Sequence, residues 1–197
     1  TTFLDISIGR IRPLRIQVLG EVAQPGSYTV SPSATVFSAL YYFNGPTFKG
    51  SLRDIQLIRG GKQIISIDFY DYLLTGKKLR DQKLQLDDVI FIPKRQKTVT
   101  VQGQINNPGI YELGPKETLK DLISFAKELK ITAYMDRAQI DRIVPFNERE
   151  NYGMDRMIID VNLEEVLELQ ESFPLHDGDK ITIFSIMDFR QNIVNLS

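Results

Sequence analysis

The stretch GEVAQPGSY, Gly20 to Tyr28, returns along the chain as GQINNPGIY, Gly103 to Tyr111. The two runs share the frame Gly-x-aliphatic-x-x-Pro-Gly-x-Tyr at an offset of 83 residues, and the same offset carries Ile16 to Val99, Val18 to Val101, Val22 to Ile105 and Thr35 to Thr118. Later matches sit 91 residues apart: Leu84, Asp88, Ile90 and Ile92 correspond to Leu175, Asp179, Ile181 and Ile183. The chain therefore holds two copies of one unit, and the second has about eight extra residues inside it.

Working outward from the repeat, Ile16, Val18 and Val22 alternate with polar neighbours at period two, as do Val99, Val101 and Ile105, which predicts a strand with one buried face. Gly20 and Gly103 fall on that face, where a glycine leaves room for a bulge or for another backbone. Pro25-Gly26 and Pro108-Gly109 suit the centre of a type II turn, so a hairpin should follow, with Tyr28 and Tyr111 on the returning strand. Thr35 and Thr118 can cap helices whose apolar residues lie on one face: Val36, Ala39, Leu40 and Phe43 in one copy, Leu119, Leu122, Ile123 and Ala126 in the other. Asn44-Gly45-Pro46 supplies a stop. Gly60-Gly61 between two alternating runs predicts a type I′ hairpin, and the second copy replaces it with the polar stretch Asn147 to Asp155, read as a long flexible tip. A short helical piece and a final strand, LQLDDVIFIP or PLHDGDKITIF, close each copy. The order strand, strand, helix, strand, strand, short helix, strand is an α+β unit in the style of a ubiquitin-like β-grasp.

Composition agrees. With 197 residues, a net charge of −1, 42% hydrophobic and 25% charged residues, the chain can bury two small cores. The near-zero charge argues against nucleic acid as a partner. No run approaches the length of about 18 apolar residues that reads as a membrane span. The absence of cysteine excludes disulfides, thiolate nucleophiles and cysteine metal sites. The opening TTFLD shows no targeting signal, so the chain reads as an excised segment.

Candidates for chemistry are few. Asp87-Asp88 and Asp177-Gly178-Asp179 are clustered oxygens, but they stand where the chain turns into the last strand, and turn formation is the simpler reading. His176 lacks a second histidine or a nucleophile and reads as an exposed turn residue. Arg142 interrupts an apolar strand. Arg10, Arg12 and Arg15 read either as a basic contact or as the charged face of an edge strand, and Lys94-Arg95-Gln96-Lys97 as a solvated linker. Tyr41, Tyr42 and Phe48, with Phe69, Tyr70 and Tyr72 further on, are core residues or, where exposed, rings that stack on sugars. No cofactor is expected.

The frame V-x-V-x-Gly-x-Val-x-x-Pro-Gly-x-Tyr, followed by Thr and a helix, and later by Asp-Asp or Gly-Asp before a final apolar strand, resembles the soluble-ligand-binding β-grasp module, SLBB. The resemblance covers Arg15 to Pro93 and Thr98 to Phe184, and departs from the usual small-residue helix end at Lys127-Glu128-Leu129-Lys130. Tandem copies resemble the periplasmic part of Wza-like polysaccharide export proteins. The resemblance implies a non-enzymatic segment of an outer-membrane-associated export protein in the periplasm. Its partners would be further copies in a ring, the polysaccharide in transit and an inner-membrane polysaccharide co-polymerase. Residues 15–95 and 96–186 would be the modules, 1–14 the end strand of an upstream export domain, and 187–197 a linker with the first strand of a third module. Gly20, Pro25, Gly26, Tyr28 and Asp88, with Gly103, Pro108, Gly109, Tyr111 and Asp179, would be motif residues of structure. The alternatives are a module that binds a small soluble ligand, a saccharide or a corrinoid-like molecule, with Tyr41, Tyr42 and Phe48 in its groove, and an accessory subunit of a redox complex.

Overall fold

A computed structural model describes residues 12–77, 80–168 and 173–186. The expected upstream strand at 1–14 lies almost wholly, and the expected third module at 187–197 entirely, outside the described residues. The chain forms two compact units that divide after Arg95.

The first unit runs β1 (Leu14–Gly20), β2 (Gly26–Val30), α1 (Val36–Leu40), β3 (Ile55–Arg59), β4 (Lys62–Ile67), α2 (Phe69–Thr75) and β5 (Val89–Ile92). The second repeats that order with β6 (Lys97–Gly103), β7 (Gly109–Leu113), α3 (Leu119–Phe125), β8 (Ala133–Ile143), β9 (Arg156–Val161), α5 (Leu163–Glu168) and β10 (Lys180–Ser185), adding one helical turn, α4 (Arg149–Tyr152), between β8 and β9. Each unit has one five-stranded mixed sheet, ordered β2-β1-β5-β3-β4 and β7-β6-β10-β8-β9. The first strand pairs in parallel with the last, and the other pairs are antiparallel. This is the α+β tandem β-grasp architecture the repeat implies.

The helices form where the caps direct them. Thr35 Oγ1 accepts from the Ser38 N–H at 3.3 Å while Ser38 Oγ accepts from the Thr35 N–H at 2.8 Å, a reciprocal capping box. In the second unit the Asp121 carboxylate accepts from the Thr118 N–H at 2.9 Å. The apolar face of α1 then buries Val36, Phe37, Ala39 and Leu40 against Ile16, Val18, Leu57 and Ile90 of the sheet. Leu119, Leu122 and Ile123 of α3 do the same against Val99, Val101, Ile140 and Ile181. Each such aliphatic side chain contributes about 1.5–3 kcal/mol on burial, so the two cores are separately able to hold their sheets.

Four expectations change. Gly20 and Gly103 are exposed rather than on the buried face; their φ angles of 92° and 91° turn the chain out of the strand pattern. The Pro-Gly pairs are not type II turns: Gly109 is outside the left-handed region, and Gly26, at φ 156°, is already the first residue of β2, paired with Val18. Each first hairpin instead closes through a five-residue loop. The Asn147–Asp155 tip is no loose loop but a 3-10 turn (Phe146–Glu148) followed by α4, fastened by the Val144 N–H to Asp155 O at 2.9 Å and by Arg149 Nε to Val144 O at 3.0 Å. Finally, β1, which carries Arg15, is flanked by β2 and β5 and is not an edge strand. The type I′ reading of Gly60-Gly61 holds, with φ of 56° and 74° between the paired Arg59 and Lys62.

Candidate functional site

The motif residues act through three local devices that recur in both units. At Gly20 and Gly103, a Cβ would overlap the carbonyl oxygen of Ile92 or Ile183 on the neighbouring parallel strand. That carbonyl instead accepts the N–H of the next residue, Glu21 or Gln104, at 2.8 and 2.9 Å. Only glycine combines the positive φ with that approach. Val22 and Ile105 then turn inward and are buried. The tyrosine at the end of the frame closes the loop: Tyr28 Oη donates to Gln24 O at 2.6 Å and Tyr111 Oη to Asn107 O at 2.7 Å, each four residues back. Partial burial raises the Tyr111 phenol above its ordinary value.

Asp88 and Asp179 are more than turn formers. Both are fully buried, and each receives a bidentate guanidinium. Arg59 Nε and Nη2 reach Asp88 at 2.7 and 2.8 Å, while Arg142 Nε and Nη2 reach Asp179 at 2.9 and 2.6 Å. The second oxygen also accepts a turn N–H, from Gln85 at 2.7 Å or His176 at 2.8 Å. The guanidinium continues to a backbone carbonyl, Lys83 O or Pro174 O. Arg142 therefore does not break its strand; it is the counterpart of Arg59, 83 residues on, and its charge is spent on Asp179. The hydrogen bond that Arg59 donates to Asp88 raises its guanidinium above the usual value. With their oxygens so engaged, neither carboxylate is placed for acid/base work. His176 is exposed, and among the described residues no cluster of His, Cys, Asp and Glu could hold a metal.

An open cleft lies elsewhere, between α1 and α2 of the first unit. Its volume is 380 Å³, and it is lined by Phe37, Tyr41, Leu52, Phe69 and Tyr72, with Asn44 at the end of the helical turn. Phe37 stacks on Phe69 with centroids 5.2 Å apart, and Tyr72 meets both edge-on at 5.3 and 5.4 Å. The two helices that carry these rings are pinned at their N-termini. Asp81 Oδ1 accepts the Phe37 N–H at 3.2 Å, and Asp68 Oδ1 accepts the Tyr70 N–H at 2.9 Å. Arg53 Nε donates to Asp68 at 2.7 Å. Burial raises the Asp68 carboxyl above its ordinary value, an effect that Arg53 opposes.

Of the aromatic residues that the sequence offers as core or sugar-stacking rings, Tyr41, Phe69 and Tyr72 line the cleft, Tyr41 being 83% exposed; Tyr42 and Phe48, both exposed, stand outside its lining, and Tyr70 is buried. Phe37 and Leu52 went unnamed as site residues because each alone reads as core. Arg59 and Arg142 were findable: they share the 83-residue offset of the glycines.

Among the described residues no helix is long and apolar enough to cross a membrane. Comparison with known proteins finds the SLBB domain at residues 15–68 and again at 98–155, together more than half of the chain. Two curated relatives, both described as polysialic acid transport protein KpsD of Escherichia coli, are each 33% identical over 107 residues, a stretch that is 54% of this chain and 19% of the relative. The two matched segments take in the two copies of the glycine frame, and in the structure each continues through its short helix and last strand into one five-stranded sheet: the chain belongs to the SLBB domain family, which it carries as two successive modules.

Proposed function

We propose that this module pair, 15–95 and 96–186, is a periplasmic segment of an outer-membrane-associated polysaccharide export protein, and that it is structural and catalyses nothing. The observation that carries the reading is the tandem SLBB match together with its likeness to proteins described as polysialic acid transporters. Two features support it. Asp88 and Asp179 serve the fold, each locked to an arginine, and the two units are five-stranded sheets built to one plan, as suits a repeated wall or spacer. In the full-length protein the modules would pack heterologously between neighbouring copies of a ring through which polysaccharide moves, with a polysaccharide co-polymerase as inner-membrane partner.

The test is an in-frame deletion of Arg15 to Phe184 at the native locus, with surface and periplasmic polysaccharide quantified beside a blot for the shortened protein. Stable shortened protein with less surface polymer and more periplasmic polymer is the expected result. Unchanged surface polymer would overturn the export reading. A second reading, a module that binds a small soluble ligand, is favoured by one observation, the aromatic cleft of the first module.

A further inference from the structure

We propose that the cleft between α1 and α2 of the first module is a binding site for an uncharged pyranose ring. Its aromatic wall is particular to the first module. In the second module the helix position of Phe37 is Lys120, and the first and fourth residues of the following helix, Phe69 and Tyr72 here, are Leu163 and Val166. The same sheet closes over those aliphatic residues, and Lys120 Nζ bonds to Leu167 O at 2.9 Å. The second module thus builds the same sheet without rings at these positions, while in the first Phe37 is also part of the core and Phe69 and Tyr72 pack against it.

The chemistry of the lining selects the ligand. Among the described residues no charged side chain lines the cleft, so none of them would compensate a buried phosphate or carboxylate. The lining includes the half-buried rings of Phe69 and Tyr72 and the exposed ring of Tyr41, and on such rings the apolar C–H face of a sugar packs. Asn44, Tyr41 and Tyr72 are among the lining residues, and their amide and hydroxyl groups both donate and accept, as vicinal sugar hydroxyls do. Among the described residues no protein partner engages these three groups. Asn44 is held in the left-handed region at φ 60°, and the Gly45 N–H bonds to Leu40 O at 2.9 Å, so the amide is presented on a fixed turn. A volume of 380 Å³ lies at the small end of ligand sites and takes one or two sugar rings; a corrinoid macrocycle is too large for it. That the sugar belongs to a polymer in transit rests on the export reading, whereas the site itself rests on the cleft.

The experiment is a titration of the isotopically labelled 197-residue chain with three neutral hexasaccharides, gluco-, manno- and galacto-configured, and with a sialic acid hexamer. At least one neutral sugar is expected to shift the amides of Tyr41, Asn44, Gly45 and Leu52 and to leave the second module silent. Tyr41→Ala, at an exposed position where folding is not at stake, should weaken binding about tenfold, the worth of one ring contact. Asn44→Gly keeps the turn, removes the amide and should weaken binding a few-fold. Silence at the cleft with all neutral sugars at tens of millimolar overturns the site. So do shifts that persist unchanged in Tyr41→Ala, shifts with the sialic acid hexamer alone, or cleft shifts that follow protein concentration without sugar and mark a second copy as occupant. Those outcomes leave the export reading to the deletion phenotype, while unchanged surface polymer in the deletion would sink that reading and leave cleft binding standing.

Discussion

The two modules agree wherever the sheet must close and differ wherever its helices meet solvent. Both have the glycine that admits the carbonyl of the last strand, the tyrosine that reaches back four residues, and the arginine that buries its charge on an aspartate. Between α1 and α2 the first module sets Phe37, Phe69 and Tyr72 around a cleft; the corresponding helices of the second bring Lys120, Leu163 and Val166. The first ends its helix on Asn44-Gly45, the second on Lys127-Glu128. The repeat thus separates what the β-grasp needs from what one copy has acquired, which a single module would not reveal.

The ion pairs provide the strongest test of the shared part. Asp179→Ala strands Arg142, whose side chain is only 11% exposed, and frees the His176 N–H; about 3–5 kcal/mol of stability should be lost from the second module. Asp88→Ala should cost the first module less, because the Arg59 side chain is 25% exposed and water can take over part of its charge. Denaturant titration followed by amide exchange in β8 and β10 against β3 and β5 reads each module separately. A larger loss from Asp88→Ala than from Asp179→Ala would break the ranking by burial.

Next in size are the strand-end glycines. Gly20→Ala and Gly103→Ala must leave the positive φ and push back a neighbouring strand, which together should cost about 2–4 kcal/mol. Because the two environments match almost atom for atom, the losses should match too, read by the same exchange measurement. If one module tolerates its alanine, the parallel pairing of first and last strand is not equally tight in both.

The repeat explains why so much of the fold was readable beforehand. Period-two runs beside Gly20 and Gly103, threonine caps and a Gly60-Gly61 turn are local signals, and all are legible without knowing what lies nearby. The ion pairs are not local: Arg59 and Asp88 are 29 residues apart and Arg142 and Asp179 are 37, so their partnership depends on β3 lying beside β5 and β8 beside β10. Read alone, a strand arginine looks like an interruption and an aspartate before a strand looks like a turn. The tip at Asn147–Asp155 reads as loose because its short helices are held by specific bonds within the hairpin, Arg149 to Val144 and Val144 to Asp155, rather than by propensity. The cleft was half legible. Tyr41, Tyr42 and Phe43 occupy one 3-10 turn, whose successive residues point about 120° apart, so Tyr41 reaches the cleft and Phe43 the core. Composition names those rings without giving their directions.

The smallest effect concerns the helix ends, and it has the clearest sign. Asn44 and Gly45 take φ of 60° and 67°, conformations that these residues adopt readily, and the Gly45 N–H closes on Leu40 O. Lys127 and Glu128 take almost the same angles, 62° and 67°, and the Glu128 N–H closes on Ile123 O at 3.0 Å. A side chain in that region costs about 1–2 kcal/mol. Glycine avoids the cost but enlarges the unfolded ensemble by about 0.4–1 kcal/mol, so Glu128→Gly should stabilise the second module by about 0.5–1 kcal/mol. The reciprocal change, Gly45→Glu, should destabilise the first by about the same amount. Thermal melts with exchange assigned by module measure both. Since the Glu128 side chain is exposed, no packing is lost on either substitution to cloud the sign. If Glu128→Gly destabilises instead, its carboxylate has a role at the surface of the second module that the first does without, and the strained turn is kept for that role rather than tolerated.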